Sequence, residues 1–391
     1  MRGRRPARQD RVLVDATSVP PTRGGVARYV AGLLSGLGDL GVEVDVVVKR
    51  RDLEWLRDQA PSHRYHVAPS AVDRRPVRLV WEQVALPLTA RRLRADVLHS
   101  PHYTSPLLFR GRRVVTLHDA TFLTDPDDHG RLKRLFFSAW IRWARARADV
   151  VVVPSRSTAV DLDASVPPSR AEVLVAHLGV DSGVFRPPSA VDVARFREVH
   201  GLAADASWIA FLGTVEPRKN LGVLLDAHDD LRAKQSDVPP LLVSGGAGWD
   251  SSAVARLEAA GDVSGAPVRW LGYLPLEQLH VLLGASAAVV YPTSREGFGL
   301  PVLEAMSSGA LVVTTPVSAI PEVADDAVLY ASPTSAELSA VLSDVLAGRV
   351  DRASLTARAV SRAASFTWAE CASVHVTAYG LGPHGTESRS E

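Results

Sequence analysis

Cysteine is almost absent from this sequence: Cys371 is the single one in 391 residues. An intrachain disulfide and a multi-cysteine metal site are therefore both excluded, which is typical of proteins from a reducing cytosol. Long apolar runs are missing as well, and the first one, Val12-Leu13-Val14, ends at Asp15. A secretory signal needs roughly 7–15 apolar residues and a membrane span about 20, so we expect a cytoplasmic protein with neither.

A strong charge of either sign is also lacking. Lys plus Arg (44) and Asp plus Glu (43) leave a net charge of +1. A dedicated nucleic-acid binder usually shows a clear basic excess, so we expect no nucleic-acid partner. The arginines are nevertheless clustered, near residues 2–11, 74–94 and 131–147. The length is too great for one typical core and suits two α/β lobes.

Short apolar runs alternate with helical patterns along the whole chain. Runs that are apolar on both faces and separated by helices are typical of parallel strands buried by βαβ crossovers. The sequence therefore predicts a doubly wound α/β fold. The predicted strands are residues 11–14, 44–48, 96–99, 114–117, 150–153, 208–212, 241–244, 268–271, 287–291 and 311–314.

Prolines mark the best candidate boundary between two domains. The segment 185–189, FRPPS, breaks the periodicity and disfavours both helix and central strand, so we predict a hinge there. Thr367 is the predicted N-cap of a last helix. The resulting division is a first domain at 10–185, a second at 186–365, a helix at 366–379, and a disordered Gly/Pro/Ser-rich tail at 380–391.

The segment 296–309, EGFGLPVLEAMSSG, carries the most specific pattern in the chain. Its glycines permit a tight turn after a strand, Pro301 suits the first turn of a helix, and Gly309 suits the helix end. Backbone amides at the start of such a helix point toward an anion. The residues expected to supply them are Phe298, Gly299 and Leu300.

Two carboxylates flank this predicted anion-binding turn. Glu296 lies in the loop before the helix, and Glu304 lies about one turn inside it. Carboxylates accept paired hydrogen bonds from sugar hydroxyls, whereas a site for a bare phosphate would favour cations. An isolated glutamate here would be a solvated surface charge. The combination instead indicates a ligand with both hydroxyls and phosphates.

This segment resembles the signature of the retaining GT-B glycosyltransferases of family four, the glycosyl transferases group 1. Other family-like segments follow in order from about residue 11 to 378. The resemblance implies two Rossmann-like domains facing a central cleft, with the acceptor bound by the first domain and the nucleotide-sugar by the second. It implies a C-terminal helix that crosses back to the first domain. It also implies that Glu304 holds the nucleotide ribose and that Glu296 lies beside the donor hexose and phosphates.

A second segment, 213–221 or GTVEPRKNL, follows directly on a predicted strand. Arg218 and Lys219 concentrate positive charge at the carboxyl edge of a sheet, where such folds bind ligands. Cations there stabilise the charge that develops when a sugar–phosphate bond breaks. Such a pair is often surface charge, but here it resembles the family's diphosphate-binding pair, with Gly213 on the donor side. Asn220 is the expected cap of the next helix.

Segments of the first domain resemble the family's acceptor side. Gly24 and Gly25 precede a predicted helix and would let backbone amides approach a phosphate or an acceptor, although no full dinucleotide fingerprint is present. They resemble the loop that closes over the donor diphosphate. His118 ends a predicted strand, and the resemblance makes it a contact of the transferred sugar or acceptor, oriented by Asp119. A surface histidine beside a capping aspartate is the alternative. The segment 81–83, WEQ, also resembles this group, without an assigned chemistry.

We expect no metal and no cofactor, because the nucleotide-sugar is a substrate. The sequence has no Cys/His cluster with zinc spacing. Two Asp-x-Asp triplets, 125–127 and 161–163, do not follow strand ends in the manner of a metal–diphosphate clamp. Metal independence is also what the GT-B resemblance implies.

The basic, aromatic segment 131–147 is predicted to be a helix. It would contact an anionic membrane surface through its basic face if the acceptor were lipid-linked, at the inner face of the plasma membrane. The alternative, which we favour, is that its aromatic side chains cover the first sheet while its arginines face water.

The predicted activity is hexosyl transfer with retention, from a nucleotide diphosphate-sugar to a glycan, lipid-linked or small-molecule acceptor in cell-surface polysaccharide synthesis. The segments around Gly24 and at 81–83 resemble bacterial transferases that often use GDP-mannose, so mannose is the expected sugar. Two alternatives stay open: a GT-B epimerase that cleaves the same donor, and a non-catalytic subunit that binds a nucleotide-sugar.

Overall fold

The computed structural model describes residues 10–125 and 130–382, which form two α/β units. The first unit contains the chain up to Gly179 and again from Thr367, and the second unit is Val180–Phe366. The boundary predicted after residue 185 thus lies inside the second unit. Of the predicted tail 380–391, the part after residue 382 lies outside the described residues.

The first unit, in its described residues, has a parallel sheet of seven strands. The strands are Val12–Asp15 (β1), Asp45–Val48 (β2), Arg64–Val67 (β3), Val97–Ser100 (β4), Arg112–Thr116 (β5), Val150–Val153 (β6) and Glu172–Val175 (β7). Their order in the sheet is β3-β2-β1-β4-β5-β6-β7. Every residue of β1, β2, β4 and β6 is buried, as expected of strands covered on both faces. The strand order reverses between β1 and β4, where such sheets open a crevice at their carboxyl ends.

Helices connect these strands and cover the sheet. They are Gly25–Asp39 (α1), Leu53–Gln59 (α2), Arg75–Arg92 (α3), Thr121–Thr124 (α4), Arg131–Arg147 (α5) and Arg156–Ser165 (α6). Leu86 of α3 packs with Leu98 of β4, and Ile141 of α5 packs with Val115 of β5. Leu98 pairs with Arg113, two residues from Val115, so both side chains point to the same face of the sheet. Helices α3 and α5 therefore cover one face.

Helix α5 has the bounds predicted from the sequence, but packing explains only part of its apolar surface. Phe137 and Trp143 pack against the core, as we favoured. Leu132 and Leu135 are 84% and 65% exposed, and Arg145 is buried, so the expectation that the arginines face water is wrong for Arg145. Within the described ranges, no helix is long and apolar enough to cross a membrane.

The second unit has a parallel sheet of six strands among its described residues. The strands are Ile209–Leu212 (β8), Leu241–Ser244 (β9), Val268–Gly272 (β10), Ala288–Tyr291 (β11), Val312–Thr314 (β12) and Leu329–Tyr330 (β13). The sheet order is β10-β9-β8-β11-β12-β13, so the reversal falls between β8 and β11. A ligand crevice is expected at the carboxyl ends of these two strands.

The helices of the second unit contact the proline-rich segment 185–189. They are Ala190–Val199 (α7), Leu221–Lys234 (α8), Ser251–Ala260 (α9), Leu276–Gly284 (α10), Leu300–Ser307 (α11), Ile320–Ala324 (α12), Ser335–Leu346 (α13) and Arg352–Ala363 (α14). Ser307 of α11 donates to the carbonyl of Phe185 at 2.6 Å, and Ser189 starts α7 in a capping box with Asp192. The segment predicted as a hinge is therefore packed into the second unit.

The last helix, Trp368–Tyr379 (α15), belongs to the first unit. Thr367 caps it, as predicted, by accepting from the amide of Glu370 at 3.1 Å. The helix packs closely on α1, because a Cβ at Gly32 would lie 2.1 Å from the Trp368 ring and a Cβ at Gly36 would lie 2.2 Å from the Trp368 carbonyl. Glycine at both positions is what allows this approach.

A buried chain of hydrogen bonds joins α15 to the sheet. It runs through Cys371, His375, Tyr29, Thr116, His99 and Tyr379. The Cys371 carbonyl can only accept, so His375 donates through Nδ1 (2.8 Å) and accepts at Nε2 from Tyr29 (2.8 Å). Tyr29 then accepts from Thr116, Thr116 from His99, and His99 from Tyr379. Every member is neutral and satisfied, which a buried polar network requires.

Replacing Gly36 by alanine should destabilise the first unit by about 1–3 kcal/mol, because the new methyl group has no room beside Trp368. The matched control is Gly222→Ala in α8, where a Cβ would meet nothing within 4 Å. That variant should be neutral or gain up to about 1 kcal/mol from helix propensity. Urea unfolding of both variants is the measurement. An equal effect of the two substitutions would contradict the close packing of α1 on α15.

Candidate active site

The predicted residues of the second unit lie at the carboxyl ends of β8 and β11, the two strands between which the sheet order reverses. The segment from Gly213 to Lys219 follows β8, and Glu296 follows β11. Glu304 lies on α11, the helix that begins after the same loop. Two loops from adjacent strands therefore bring these residues to one edge of the sheet.

Arg218 links the two loops. Its Nε donates to Glu216 at 2.9 Å, and its Nη1 lies 2.5 Å from Oε1 of Glu296 and donates to the carbonyl of Arg295 at 2.9 Å. Its own carbonyl accepts from the amide of Ser294 at 2.7 Å. Two predicted site residues, Arg218 and Glu296, are thus joined in an ion pair, and the guanidinium charge is shared between two carboxylates.

Glu296 has a second partner that the sequence did not reveal. The hydroxyl of Tyr291 donates to its Oε1 at 2.6 Å. Burial, and next the charge of Glu296, raises the pKa of Tyr291 well above its ordinary value, so the phenol stays protonated and remains a donor. Tyr291 and Glu216 are therefore additions to the site. Their position next to the predicted motifs was visible, but their contacts depend on how the two loops fold.

Lys219 lies over the end of β8 and is almost fully buried. Its Nζ is 6.0 Å from the centroid of the Tyr291 ring. A Cβ at Gly213 would lie 2.9 Å from Nζ, and a Cβ at Gly245 would lie 2.0 Å from the Gly213 carbonyl. The missing side chain of Gly213 makes room for the lysine, while its predicted role on the donor side stays a prediction.

The turn before α11 has the geometry expected of the motif. Gly299 is the N-cap residue with a φ of 94°, and a Cβ there would lie 2.6 Å from Cδ1 of Ile320. Gly299 has no side chain to cap the helix, so the N-cap residue accepts no side-chain hydrogen bond from the amides of the first turn. Phe298 and Leu300 bury their side chains, which leaves them only backbone groups to offer a ligand. Gly309, with a φ of 74°, follows the end of the helix as predicted.

Glu304 is 1% exposed, far less than is usual for a glutamate. It lies inside the short helix α11, and Ser308 donates to its carbonyl at 2.8 Å. Glu296, by contrast, keeps part of its carboxylate at the surface. The two carboxylates therefore differ in environment: one is held inside the helix that the turn begins, and the other is in the loop before it.

Asn220 does not cap α8 as expected. It has the left-handed φ of 50° at the N-cap position, and its side chain makes no capping hydrogen bond. Its Nδ2 donates instead to the carbonyl of Pro292 at 2.8 Å. Asn220 thus ties the loop after β8 to the loop after β11, beside the link made by Arg218.

In the first unit, His118 lies half-buried after β5. Its Nε2 donates to the carbonyl of Pro101 at 2.8 Å, and its ring packs edge-on against Tyr29. Burial lowers the pKa of His118, so the ring is neutral at pH 7 and its Nδ1 is an acceptor. Oδ1 of Asp119 accepts from the amide and hydroxyl of Thr121 at the start of α4, and the charge of Asp119 opposes the effect of burial on the pKa of His118, so its orienting role stays a prediction.

Gly24 and Gly25 begin α1. Gly24 is the N-cap residue and supplies no side-chain cap. A Cβ at either glycine would meet no atom within 4 Å. Packing therefore does not require glycine here, and the open space next to the backbone is where a ligand would approach.

No group of three or more His, Cys, Asp or Glu side chains is arranged to hold a metal in the part of the chain that the structure describes. Of the Asp-x-Asp triplets, 125–127 lies mostly outside the described residues. In the other triplet, Asp163 is bound to Arg145.

Comparisons with known proteins agree along most of the chain. Residues 23–183 match the family described as Glycosyltransferase Family 4, and residues 192–362 match the family described as Glycosyl transferases group 1. O-antigen chain mannosyltransferase B of Escherichia coli is 32% identical over 291 residues, 73% of this chain and 74% of that protein. D-inositol 3-phosphate glycosyltransferase of Frankia alni is 29% identical over 393 aligned positions, 89% of this chain and 92% of that protein. The crystal structure of Anabaena HepE with UDP and glucose has a TM-score of 0.75 at 17% identity, over 95% of this chain and all of that one, which shows a shared fold.

Acid should destabilise the protein because of its buried histidines. Burial lowers the pKa of His63, His99, His102, His118, His228, His280 and His375, to about 3 for His102 and about 4 for His375. The unfolded chain therefore binds more protons than the folded chain below about pH 6.5, and stability falls as the pH falls. Burial raises the pKa of Glu82 to about 7 and also raises the pKa of Asp52, and both act in the opposite direction, but they are two groups against seven.

We expect the free energy of unfolding to drop by several kcal/mol between pH 7 and about pH 5, since each pKa unit is worth about 1.4 kcal/mol per group. Urea unfolding across this range measures it. His228→Gln, which can still donate to the Pro239 carbonyl, should reduce the proton uptake by the share of one site. Equal stability at the two pH values would contradict the prediction.

Proposed function

This chain belongs to the glycosyl transferases group 1 of glycosyltransferase family 4 and has their GT-B fold, and on that basis we propose that it is a retaining mannosyltransferase using GDP-mannose. Membership alone makes it an enzyme that transfers a sugar. The similarity to O-antigen chain mannosyltransferase B supports mannose as that sugar and cell-surface polysaccharide as the product class. The acceptor is then a glycan, a lipid-linked glycan or a small molecule. The inositol phosphate enzymes among the relatives keep the last class open.

The observation that carries the proposal is the position of Arg218 and Lys219. Both cations lie at the end of β8, at the switch point of the second sheet, beside Glu296 from the neighbouring loop. A nucleotide diphosphate placed here would meet two positive charges and the N-terminus of α11. These groups would stabilise the charge that grows on the diphosphate as it leaves the sugar.

Donor binding would change the partners of Arg218. The diphosphate oxygens would compete with Glu216 and Glu296 for the guanidinium, because phosphate accepts the same paired hydrogen bonds as carboxylate. Glu296 would then accept from the hexose hydroxyls, with Tyr291 still donating to it. Glu304 would hold the ribose hydroxyls. The nucleotide and the sugar would thus be bound by groups of one sheet edge.

In the proposed reaction, the bond between the anomeric carbon and the diphosphate oxygen breaks, and the acceptor oxygen bonds to the same face of the sugar. The acceptor proton passes to the leaving diphosphate, so no dedicated base is needed. His118, neutral and with Nδ1 as an acceptor, would orient a sugar hydroxyl from the first unit. Gly24 and Gly25 would offer their backbone to the diphosphate. We propose that no metal is required, because Arg218 and Lys219 supply the positive charge.

We also propose that the enzyme contacts the inner face of the plasma membrane through α5. Segments 74–94 and 131–147, which contain α3 and α5, carry a net charge of +11 in a chain whose net charge is +1. The two helices cover the same sheet face, and each exposes apolar side chains between its arginines. These are Val80, Val84 and Leu88 of α3, and Leu132 and Leu135 of α5. Basic and apolar groups together are what an anionic lipid surface attracts.

GDP should raise the melting temperature of the protein more than UDP or ADP does, and EDTA should not remove the effect. Glu304→Ala should weaken the binding of both GDP and GDP-mannose about tenfold or more, since it removes hydrogen bonds to a charged group. Glu277→Ala, an exposed glutamate on α10, is the control. Calorimetry with the wild type and both variants is the measurement. Unchanged GDP affinity in Glu304→Ala would contradict the proposed ribose contact. An unchanged melting temperature with every nucleotide would contradict the nucleotide site.

The membrane contact is tested by flotation with vesicles of phosphatidylcholine, with and without phosphatidylglycerol. The protein should bind the anionic vesicles, less so at high salt, because screening weakens the attraction of its arginines. Leu132→Ser with Leu135→Ser should reduce that binding severalfold. Val191→Ser with Val199→Ser, two exposed valines of the second unit, should not. Equal binding to both kinds of vesicle would refute a contact with anionic lipid.

A further inference from the structure

A second cluster of charged side chains lies in the first unit, at the carboxyl ends of β1 and β2. Lys49 directly follows β2 and is 7% exposed, and its ammonium makes one hydrogen bond, to the carbonyl of Val19 at 3.1 Å. Arg78 on α3 has a side chain that is 11% exposed. Its Nη2 lies 2.8 Å from Glu82 and 3.9 Å from Asp15, the last residue of β1. None of these residues takes part in the reaction proposed above.

The two cations are close enough to affect each other. Burial, followed by the charges of Arg51 and Arg78, lowers the pKa of Lys49 to about 8, and the opposing effect of Asp52 is smaller. The charge of Asp73 also opposes the lowering, so the lysine lies among two cations and two carboxylates. An additional negative charge there would stabilise the ammonium.

The carboxylates of the cluster have little capacity left. Glu82 accepts from Arg78, from Thr104 at 2.7 Å and from Gln83 at 3.0 Å. Asp15 accepts at Oδ1 from both the amide and the hydroxyl of Thr17.

Both cations keep unused donors, while Oδ2 of Asp52, which lies 3.5 Å from Nε of Arg51, is a buried acceptor with no hydrogen bond among the described residues. An ammonium has three hydrogens, and that of Lys49 makes one hydrogen bond to the residues that the structure describes. The Nε of Arg78 is buried and has no partner among the residues that the structure describes. A ligand could engage these N–H groups only through acceptor atoms, and a charged oxygen is the strongest acceptor available.

The place of the cluster fits a ligand site. Asp15 ends β1, and Thr104 follows β4, so Arg78 lies at the reversal of strand order in the first sheet, where ligands of such folds bind. The bond from Lys49 to Val19 places the ammonium beside the loop that leads to Gly24 and Gly25. A Cβ at either of those glycines would meet no atom within 4 Å.

We propose that Lys49 and Arg78 bind an anionic group of the acceptor, a phosphate or a carboxylate. This deepens the proposed function and rests on it, because the ligand is taken to be the molecule that receives the sugar. Glu82 is a positioning residue: it holds Arg78 and is itself saturated. The acceptor is then a phosphorylated or acidic molecule rather than a neutral glycan.

The test uses calorimetry of the whole protein with three probes: mannose 6-phosphate, glucuronate and methyl α-mannoside. GDP is present in excess, so that the phosphate-binding groups of the second unit are occupied. The wild type should bind at least one charged probe about tenfold more tightly than methyl α-mannoside, a difference of about 1.4 kcal/mol. Preference for mannose 6-phosphate assigns a phosphate, and preference for glucuronate assigns a carboxylate.

Lys49→Gln should remove that preference and leave GDP affinity unchanged. The lysine makes one hydrogen bond in the fold, so this variant should fold. Arg50→Gln, the exposed neighbour, is the matched control and should behave as the wild type. Arg78 is left intact, because its loss would strand the buried Glu82 without a counter-charge.

Three results would overturn the inference: no binding of either charged probe, equal affinity for charged and neutral probes, or a Lys49→Gln variant that keeps the wild-type preference. Failure of GDP to bind the wild type is a different result. It would remove the proposed nucleotide site of the second unit, while a surviving preference for charged probes would still locate an anion site in the first unit.

Discussion

The second unit depends on one ion pair, between Arg218 and Glu296. The two residues lie on loops that follow adjacent strands. The carbonyl of Arg218 also accepts a hydrogen bond from the amide of Ser294 in the other loop. A guanidinium held from both ends has its position set before a ligand arrives, which is the condition for stabilising a developing charge without reorganisation. The carboxylates that hold it are also the groups that a diphosphate would displace. The contacts that fix the position of Arg218 are thus the same contacts that would change when a diphosphate binds.

Much of the fold could be predicted because buried parallel strands have a local signature. The central strands, such as Val150–Val153 and Leu241–Ser244, are short apolar runs with helices on either side, and the sequence located them within two residues or better. Among the described strands, three of the four at sheet edges lack that signature, whereas the fourth, Val268–Gly272, was predicted at 268–271. Arg64–Val67, Glu172–Val175 and Leu329–Tyr330 each end a sheet, and none is a continuous buried run.

The candidate site was predicted as a set of residues but not as a set of contacts. The turn at Gly299 is local, so its glycine, proline and helix start were visible in the sequence. The partner of Asn220 is set by where the neighbouring loop passes, and the expectation that it caps α8 failed for that reason. The prolines at 185–189 indicated a break in secondary structure, which is correct, but not that Phe185 would pack on α11.

The hydrogen-bond chain that ends at Tyr379 has a consequence for biosynthesis. His99 and Thr116 are made early, yet the groups that satisfy the ends of their chain are on α15, which is made much later. The whole second unit, Val180–Phe366, is translated in between. The first unit therefore cannot complete its core during its own synthesis, although domains generally fold in order from the N-terminus. A nascent chain interrupted before α15 would keep polar groups unpaired in its interior, which marks an incomplete product for removal by the cell's quality control.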